Sequence, residues 1–283
     1  MSQFPLSGLL QRLRALTGGA TTSGHALLAL PEDRPVYAIG DVHGCLGLLR
    51  DLLAAIQDDA ALAGHGARIV LLGDMIDRGE DSAGVLELVM SLAAQGRVLP
   101  ILGNHERMML QFLDDPCRNA AWLEMGGFET LMSYGLALDQ ARLRDLSPRR
   151  LTQTLEAYLP ASLRDWMQTL PLGYHLLAGQ TRVVFAHSGL SAAQPLSAQP
   201  EAALLWGTKP AVADGYVLVH GHFICDAPGV NGNRIEIDTG AWKTGRLTAV
   251  RIWQDTEPKF LTVRDARSLR PACPAANGQT SAS

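Results

Sequence analysis

Metal-ligating and proton-transferring side chains recur in five short stretches of the chain. Asp41 and His43 stand in "GDVHG", Asp74, Asp77 and Arg78 in "GDMIDRG", and Asn104, His105 and Glu106 in "GNHE". His187 opens "HSG", and His220 and His222 flank Gly221 in "HGH". Asp, Asn and His in this mixture suit hard-to-borderline divalent cations. No cysteine belongs to the set, which counts against a structural zinc site. Asp41, His43, Asp74, Asn104, His187 and His222 make six side chains, whereas one catalytic zinc takes about three. Two ions about 3.5–4 Å apart, sharing a carboxylate, would employ all six. Asp74 is the natural bridge, since it lies in the middle of the early series. Each residue alone has an ordinary reading as a cap, a turn residue or a hydrogen-bonded histidine. Recurrence behind successive apolar runs turns them into one expected site.

Those runs supply the placement. "VYAI", "RIVLL", "VLPIL", "VVFA" and "YVLV" each precede one cluster. Helical patterns in "LGLLRDLLAAI" and "SAGVLELVMSLAAQ" separate the first three. Strand, helix, strand, helix, strand predicts βαβ units and a parallel sheet. Ligands of such sheets bind beyond the carboxyl ends of the strands, so parallel strands would bring all five clusters to one edge. Glycine beside each cluster allows sharp turns and close backbone approach.

Around this centre the chain divides into an N-terminal segment 1–32, a main domain 33–267 and a tail 268–283 without periodicity. The first carries a helical stripe of Leu6, Leu9, Leu10, Leu13 and Leu16, then the connector "TGGATTSG". Residues 107–172 interrupt the alternation with helical, turn-punctuated sequence and read as an insertion or cap. Four arginines there, Arg142, Arg144, Arg149 and Arg150, read as a solvated helix face. The later strands "RVVFA", "YVLVH", "RIEI", "LTAVRI" and "KFLTV" suggest a second, mostly antiparallel or mixed sheet.

The chain has 283 residues, 47% hydrophobic and 18% charged, enough apolar material for a large core. Its formal net charge of −4 gives no basic excess for nucleic acid. Four cysteines without a Cys-x-x-Cys pair fit thiols rather than a disulfide framework. No run has the roughly 18 apolar residues of a membrane span, and the N-terminus lacks a signal-peptide pattern. The expectation is a cytoplasmic protein without stable membrane insertion.

The series GDVHG, GDMIDRG, GNHE, AHSG and HGH, closed by "IDTGAW" and "GRLTAV", resembles the phosphoprotein phosphatase branch of the calcineurin-like metallophosphoesterases, in its bacterial and phage form. The resemblance spans about residues 35–252. It implies an α/β fold, a four-layer α/β/β/α sandwich with a helical insertion, and two divalent metals, manganese first, with iron, zinc or magnesium as alternatives. One ion would take Asp41, His43 and bridging Asp74; the other Asp74, Asn104, His187 and His222. A shared water, acidified to hydroxide, would attack phosphorus in line. Arg78 would grip two phosphate oxygens with its planar fork, with Asn104 beside it. His105 would act as general acid, oriented by Asp77. Glu106 reads as a helix-start acid and His220 as a structural histidine. Relatives usually carry a second phosphate-binding arginine after "LLW"; here Gly207 stands near that place, leaving Lys209 or Arg234 as substitutes.

The implied activity is metal-dependent hydrolysis of phosphomonoesters, with phosphorylated protein or peptide, or a small phosphoester, as substrate. Serine/threonine protein phosphatase is preferred, because Asp77 and Glu106 depart from the "GDxxARG" and "GNHD" elements of symmetrical diadenosine tetraphosphatases. Hydrolysis of a dinucleoside polyphosphate is the alternative.

Overall fold

The structure is a computed structural model and describes residues 27–207, 212 and 215–265. The leucine stripe of residues 6–16, Lys209, Cys273 and the tail therefore lie outside the described residues.

Three apolar runs form a parallel core: β2 (Val36–Ile39), β3 (Arg68–Leu71) and β4 (Val98–Pro100). β2 pairs with β3 from Val36↔Arg68 to Ile39↔Leu71, and β3 pairs with β4. Helices α1 (Leu46–Leu62) and α2 (Ser82–Ala94) make the two crossovers. Asp81 caps α2 by accepting the Gly84 N–H at 2.8 Å. Each of the first three clusters thus follows a strand and opens into a helix, as the alternation predicts.

Four helices lie between β4 and the next strand beyond α3 (Asn104–Asp114): α4 (Gly127–Ser133), α5 (Gln140–Arg144), α6 (Pro148–Tyr158) and α7 (Ala161–Gln168). A 3₁₀ segment, Ala120–Met125, precedes α4 and ends at Gly126 in the left-handed region, φ 109°. In this segment Arg144 pairs with Glu124 at 2.5 Å and Arg142 with Asp139 at 3.4 Å, on exposed surface.

The second sheet holds β1 (Leu28–Ala29), β5 (Gly173–Ala178), β6 (Thr181–Ala186), β7 (Tyr216–His220), β8 (Gly229–Asn231) and β9 (Arg234–Glu236). Its order is β1-β5-β6-β7-β9-β8. β6, β7 and β9 run parallel, while the β5–β6 and β8–β9 pairs are antiparallel. β1 lies inside the N-terminal segment 1–32, expected to stand apart from the main domain, and pairs with Tyr174 and His175.

One expectation is corrected here. "LTAVRI" and "KFLTV" do not join the second sheet. They form β10 (Arg246–Ile252) and β11 (Lys259–Arg264) at the edge of the first, in the order β11-β10-β2-β3-β4. β10 runs antiparallel to β2, from Ala249↔Ile39 to Ile252↔Val36. Alternation along a strand fixes which residues face a core, but not which sheet the strand joins.

The sheets pack face to face. Val36, Ala38, Val70 and Val250 of the first share a buried cluster with Tyr174, Val183, Phe185, Val219 and Ile235 of the second. The alternate residues Tyr37, Ile39, Ile69 and Leu71 face outward into a cluster with Leu49, Leu52 and Ile56 of α1 and Val85 and Val89 of α2. Val184, Ala186 and Leu218 face outward on the other side and belong to the same helix-lined cluster as Leu204 and Leu205 of α8 (Glu201–Trp206). Period-2 alternation thus produces two facing sheets with helices outside them.

Asp59, buried near the end of α1, ties that helix to the sheet. It accepts from the Tyr37 hydroxyl at 2.7 Å and Arg251 at 3.0 Å, and it also binds Lys259. Burial and the Asp59 charge push the Tyr37 pKa up to about 12. Asp59→Ala is expected to lower the unfolding free energy in urea by about 2 kcal/mol, because a buried hydroxyl loses its acceptor.

Candidate active site

The five clusters meet at one rim. Asp74 stands at its centre: Oδ2 lies 3.6 Å from His43 Nε2, 3.5 Å from His187 Nε2 and 3.8 Å from His105 Nε2. Asn104 Oδ1 lies 2.7 Å from His187 Nε2 and 3.0 Å from His222 Nδ1. Those two nitrogens are 3.1 Å apart. Asp41 accepts the His222 N–H through both oxygens, at 3.1 and 3.2 Å, and its Oδ1 approaches His187 Nδ1 at 4.0 Å. The six residues expected to hold metal are thus gathered in one cluster from both sheets, five of them buried and His222 half-buried.

Backbone geometry at the rim is unusual. Non-glycine residues with positive φ are His43, Asp74, Asp77, Arg78, His222 and Gln254 among the described residues. Five of these six belong to the clusters. Such conformations cost roughly 1–3 kcal/mol each and persist only where the surroundings enforce them. Close glycines help enforce them here. A Cβ on Gly73 would lie 2.6 Å from Gly103 Cα, and one on Gly221 would lie 2.0 Å from Asp41 Oδ1. Side chains at either position would force the loops apart.

The donor chemistry fits divalent cations. His43 Nδ1 faces the Ile76 carbonyl at 2.7 Å, and His187 Nδ1 faces that of Leu72 at 2.9 Å. A carbonyl only accepts, so both rings carry their proton on Nδ1 and turn the Nε2 lone pair toward the cluster. Burial, ahead of the surrounding charges, lowers the pKa of His43 to about 3, of His222 to about 4, and of His187 as well. All three are neutral near pH 7, as ligands must be. His187 Nε2 and Asn104 Oδ1 then confront each other as two acceptors, an arrangement a cation relieves. Two triads of atoms, His43–Asp74–His105 and Asp74–His187–His222, each lie within 4.8 Å of one another.

The carboxylates show the same demand for positive charge. Burial, followed by the Asp238 and Asp74 charges, raises the Asp41 pKa well above normal. Burial acts likewise on Asp74, but His187, His105 and His43 outweigh it and lower its pKa. Asp238 was not expected in the site. It is buried, lies against Asp41, and has its pKa raised to about 6, mainly by burial. It follows β9 in "RIEIDTG", so the rule of a ligand-type residue behind a strand and beside a glycine would have found it.

Arg78 and His105 form the outer edge. His105 Nδ1 is 2.6 Å from Asp77 Oδ2. Arg78 NH1 is 2.9 Å from His43 Nε2, and NH2 is 2.9 Å from His105 Nε2. Its fork therefore opens onto the cluster, where phosphate would arrive. A ligated metal and the guanidinium would compete for the same His43 lone pair. Burial lowers the His105 pKa, but Asp74 and Asp77 reverse the effect and leave it raised.

Other expectations resolve differently. Glu106 does more than start α3. Fully buried, it accepts backbone N–H groups of Gly103 at 2.9 Å, Asp74 at 2.9 Å, Met75 at 2.7 Å and Ile76 at 3.3 Å. It stitches the loop after β3 to the loop after β4. Burial and then Asp74 raise its pKa to about 7. Arg234 pairs with Glu236 at 3.4 Å rather than with the cluster. His220 is buried, with Nδ1 2.9 Å from the Gly221 carbonyl and no partner for Nε2.

This arrangement defines a metal-dependent phosphoester hydrolase. Residues 34–261 match the family model of the calcineurin-like phosphoesterases, and the chain belongs to that family. It is 28% identical over 247 residues to an asymmetrical bis(5'-nucleosyl)-tetraphosphatase of Oceanobacillus iheyensis, covering 80% of this chain and 90% of that one. It is 30% identical over 174 residues to serine/threonine-protein phosphatase 1 of Salmonella typhimurium, covering 56% and 75%. A solved structure provisionally described as a diadenosine tetraphosphatase superposes with a TM-score of 0.60 at 21% identity, over 85% of this chain and 98% of that one. That likeness speaks for the fold. Among the described residues, no helix is long and apolar enough to cross a membrane.

Proposed function

We infer that the chain is a divalent-metal-dependent hydrolase of dinucleoside polyphosphates, which reverses the order of the two activities expected from the motifs. One observation carries this reading. Trp242, on α9 (Ala241–Thr244), is 42% exposed and has the Arg78 guanidinium 5.3 Å from its ring centroid. An open indole beside a phosphate-gripping arginine suits a nucleobase joined to a phosphate chain. The likeness to the O. iheyensis tetraphosphatase over 80% of this chain supports the same reading.

In this reading Arg78 holds phosphate oxygens, and Asp41, His43, Asp74, Asn104, His187 and His222 hold two divalent ions, manganese first. With nitrogen and oxygen donors only, the set also admits iron, zinc or magnesium. The chemistry supplied by bound ions is water activation and neutralisation of phosphate charge. His105, oriented by Asp77, gives its proton to the departing oxygen.

A second reading, hydrolysis of phosphoserine and phosphothreonine esters, is favoured by the Asp77–His105 contact, since an alkoxide needs protonation more than a nucleotide does. Turnover of diadenosine tetraphosphate and a phosphoserine peptide, measured side by side, tests the choice. The dinucleotide should be preferred in kcat/KM by at least about tenfold, with Trp242→Ala raising its KM about tenfold, the worth of one stacked base. Preference for the peptide, with no effect of Trp242→Ala, would establish the second reading instead.

A further inference from the structure

The helical insertion meets the catalytic loop at Asp77. Trp122 Nε1 donates to Asp77 Oδ2 at 2.8 Å, and the Thr130 hydroxyl donates to Oδ1 at 2.6 Å. The same hydroxyl accepts the Asp77 backbone N–H at 2.9 Å, sharing it with Ser82 Oγ at 3.0 Å. Between these residues, Gly126 accepts the Arg78 N–H at 3.3 Å. A Cβ on Gly126 would lie 2.6 Å from Arg78 N, and one on Gly127 would lie 2.3 Å from the Trp122 ring. Trp122, Thr130 and Asp77 are all buried, and Phe112 of α3 packs on Trp122 at 4.9 Å.

We propose that Trp122 and Thr130 are positioning residues for the general acid, so that the insertion braces the reacting centre from behind rather than covering it. The proposal rests on the reading of His105 as proton donor to the leaving group. One Asp77 oxygen is shared by Trp122 and His105 and the other is taken by Thr130, which fixes the carboxylate plane. That plane sets the direction of His105 Nδ1–H and hence of Nε2. A buried carboxylate without these donors would turn, and the imidazole would turn with it. Asp77 and Arg78 both have positive φ, 73° and 69°, and the Thr130 and Gly126 contacts hold that backbone.

The step served is balanced. The departing oxygen keeps the electron pair of the broken P–O bond and takes the Nε2 proton. Water forms the new P–O bond, one of its protons stays on the phosphate product, and the other restores His105.

The test compares two aryl esters on the manganese-loaded chain. Phenyl phosphate has a poor leaving group, whereas p-nitrophenyl phosphate has one that departs without protonation. Trp122→Phe and Thr130→Val keep the packing and remove the donors. Together they should lower kcat on phenyl phosphate about tenfold or more, the effect of lost hydrogen bonds to a charged group. On p-nitrophenyl phosphate the loss should stay within about threefold. Thr130→Ser alone, which keeps the hydroxyl donor, should keep the parent ratio of the two esters. In the metal-free protein, the downfield proton resonance of the short Nδ1–H···Oδ2 bond should move in the double variant and stay at the parent position in Thr130→Ser alone.

Equal losses on both esters, or an unmoved resonance, would overturn the proposal and leave the pair as plain packing. His105→Asn separates the two readings. If it selectively slows phenyl phosphate while the double variant does not, only the brace fails. If it shows no selectivity, the acid role itself falls and takes the brace with it.

Discussion

Asp74→Ala is expected to abolish metal uptake and to cut turnover by at least about 10³-fold on every phosphoester. Three imidazoles point at Asp74 Oδ2 from 3.5 to 3.8 Å, so one substitution strips both candidate metal positions of their common anion. Asp74 Oδ1 also accepts the His105 N–H at 3.0 Å, which ties the loop after β3 to the start of α3. Asp74→Asn keeps that acceptor and the side-chain volume while removing the charge, so it separates loss of metal from loss of fold. Elemental analysis of the purified variants, with thermal unfolding as a fold control, reads the outcome. Parent-like metal content in Asp74→Asn would remove Asp74 from its bridging place.

His105→Asn is expected to behave differently. Metal content should match the parent, because the six expected ligands are elsewhere. Turnover of a substrate with a poor leaving group should fall about 10²–10⁴-fold, the usual worth of a positioned acid. KM should change little, since Arg78, the residue proposed to hold phosphate, remains. Steady-state kinetics with parallel metal analysis distinguishes this from a ligand variant. A loss of metal equal to the loss of turnover would place His105 among the ligands, where its 3.8 Å approach to Asp74 makes it a geometric candidate.

The site was legible because its chemistry sits at strand ends. GDVHG, GDMIDRG and GNHE each follow a short, β-branched-rich apolar run that reads as a buried strand, and topology does the rest. Asp238 obeys the same rule: it directly follows "RIEI", a run already read as a strand, and stands two residues before Gly240, so the rule applied to that run would have reached it. Glu106 looked like an ordinary acid of a first helical turn; its grip on four amides depends on where another loop passes. Trp122 and Thr130 carried no signal, since an indole and a hydroxyl within helical sequence read as core and surface until Asp77 is brought against them. The placement of β10 and β11 was hidden for a related reason. Residues that fit either sheet are assigned by neighbours some two hundred positions away, which local pattern does not report.

That placement bears on how the molecule is made. β2 receives its second neighbour only when β10 arrives, and Val36 and Ile252 are partners across nearly the whole length of the described chain. During synthesis, one flank of an apolar strand therefore waits with open backbone groups until the β10–β11 hairpin has left the ribosome, a template for association with other nascent chains. Fragments ending before residue 246 should be sticky rather than merely inactive.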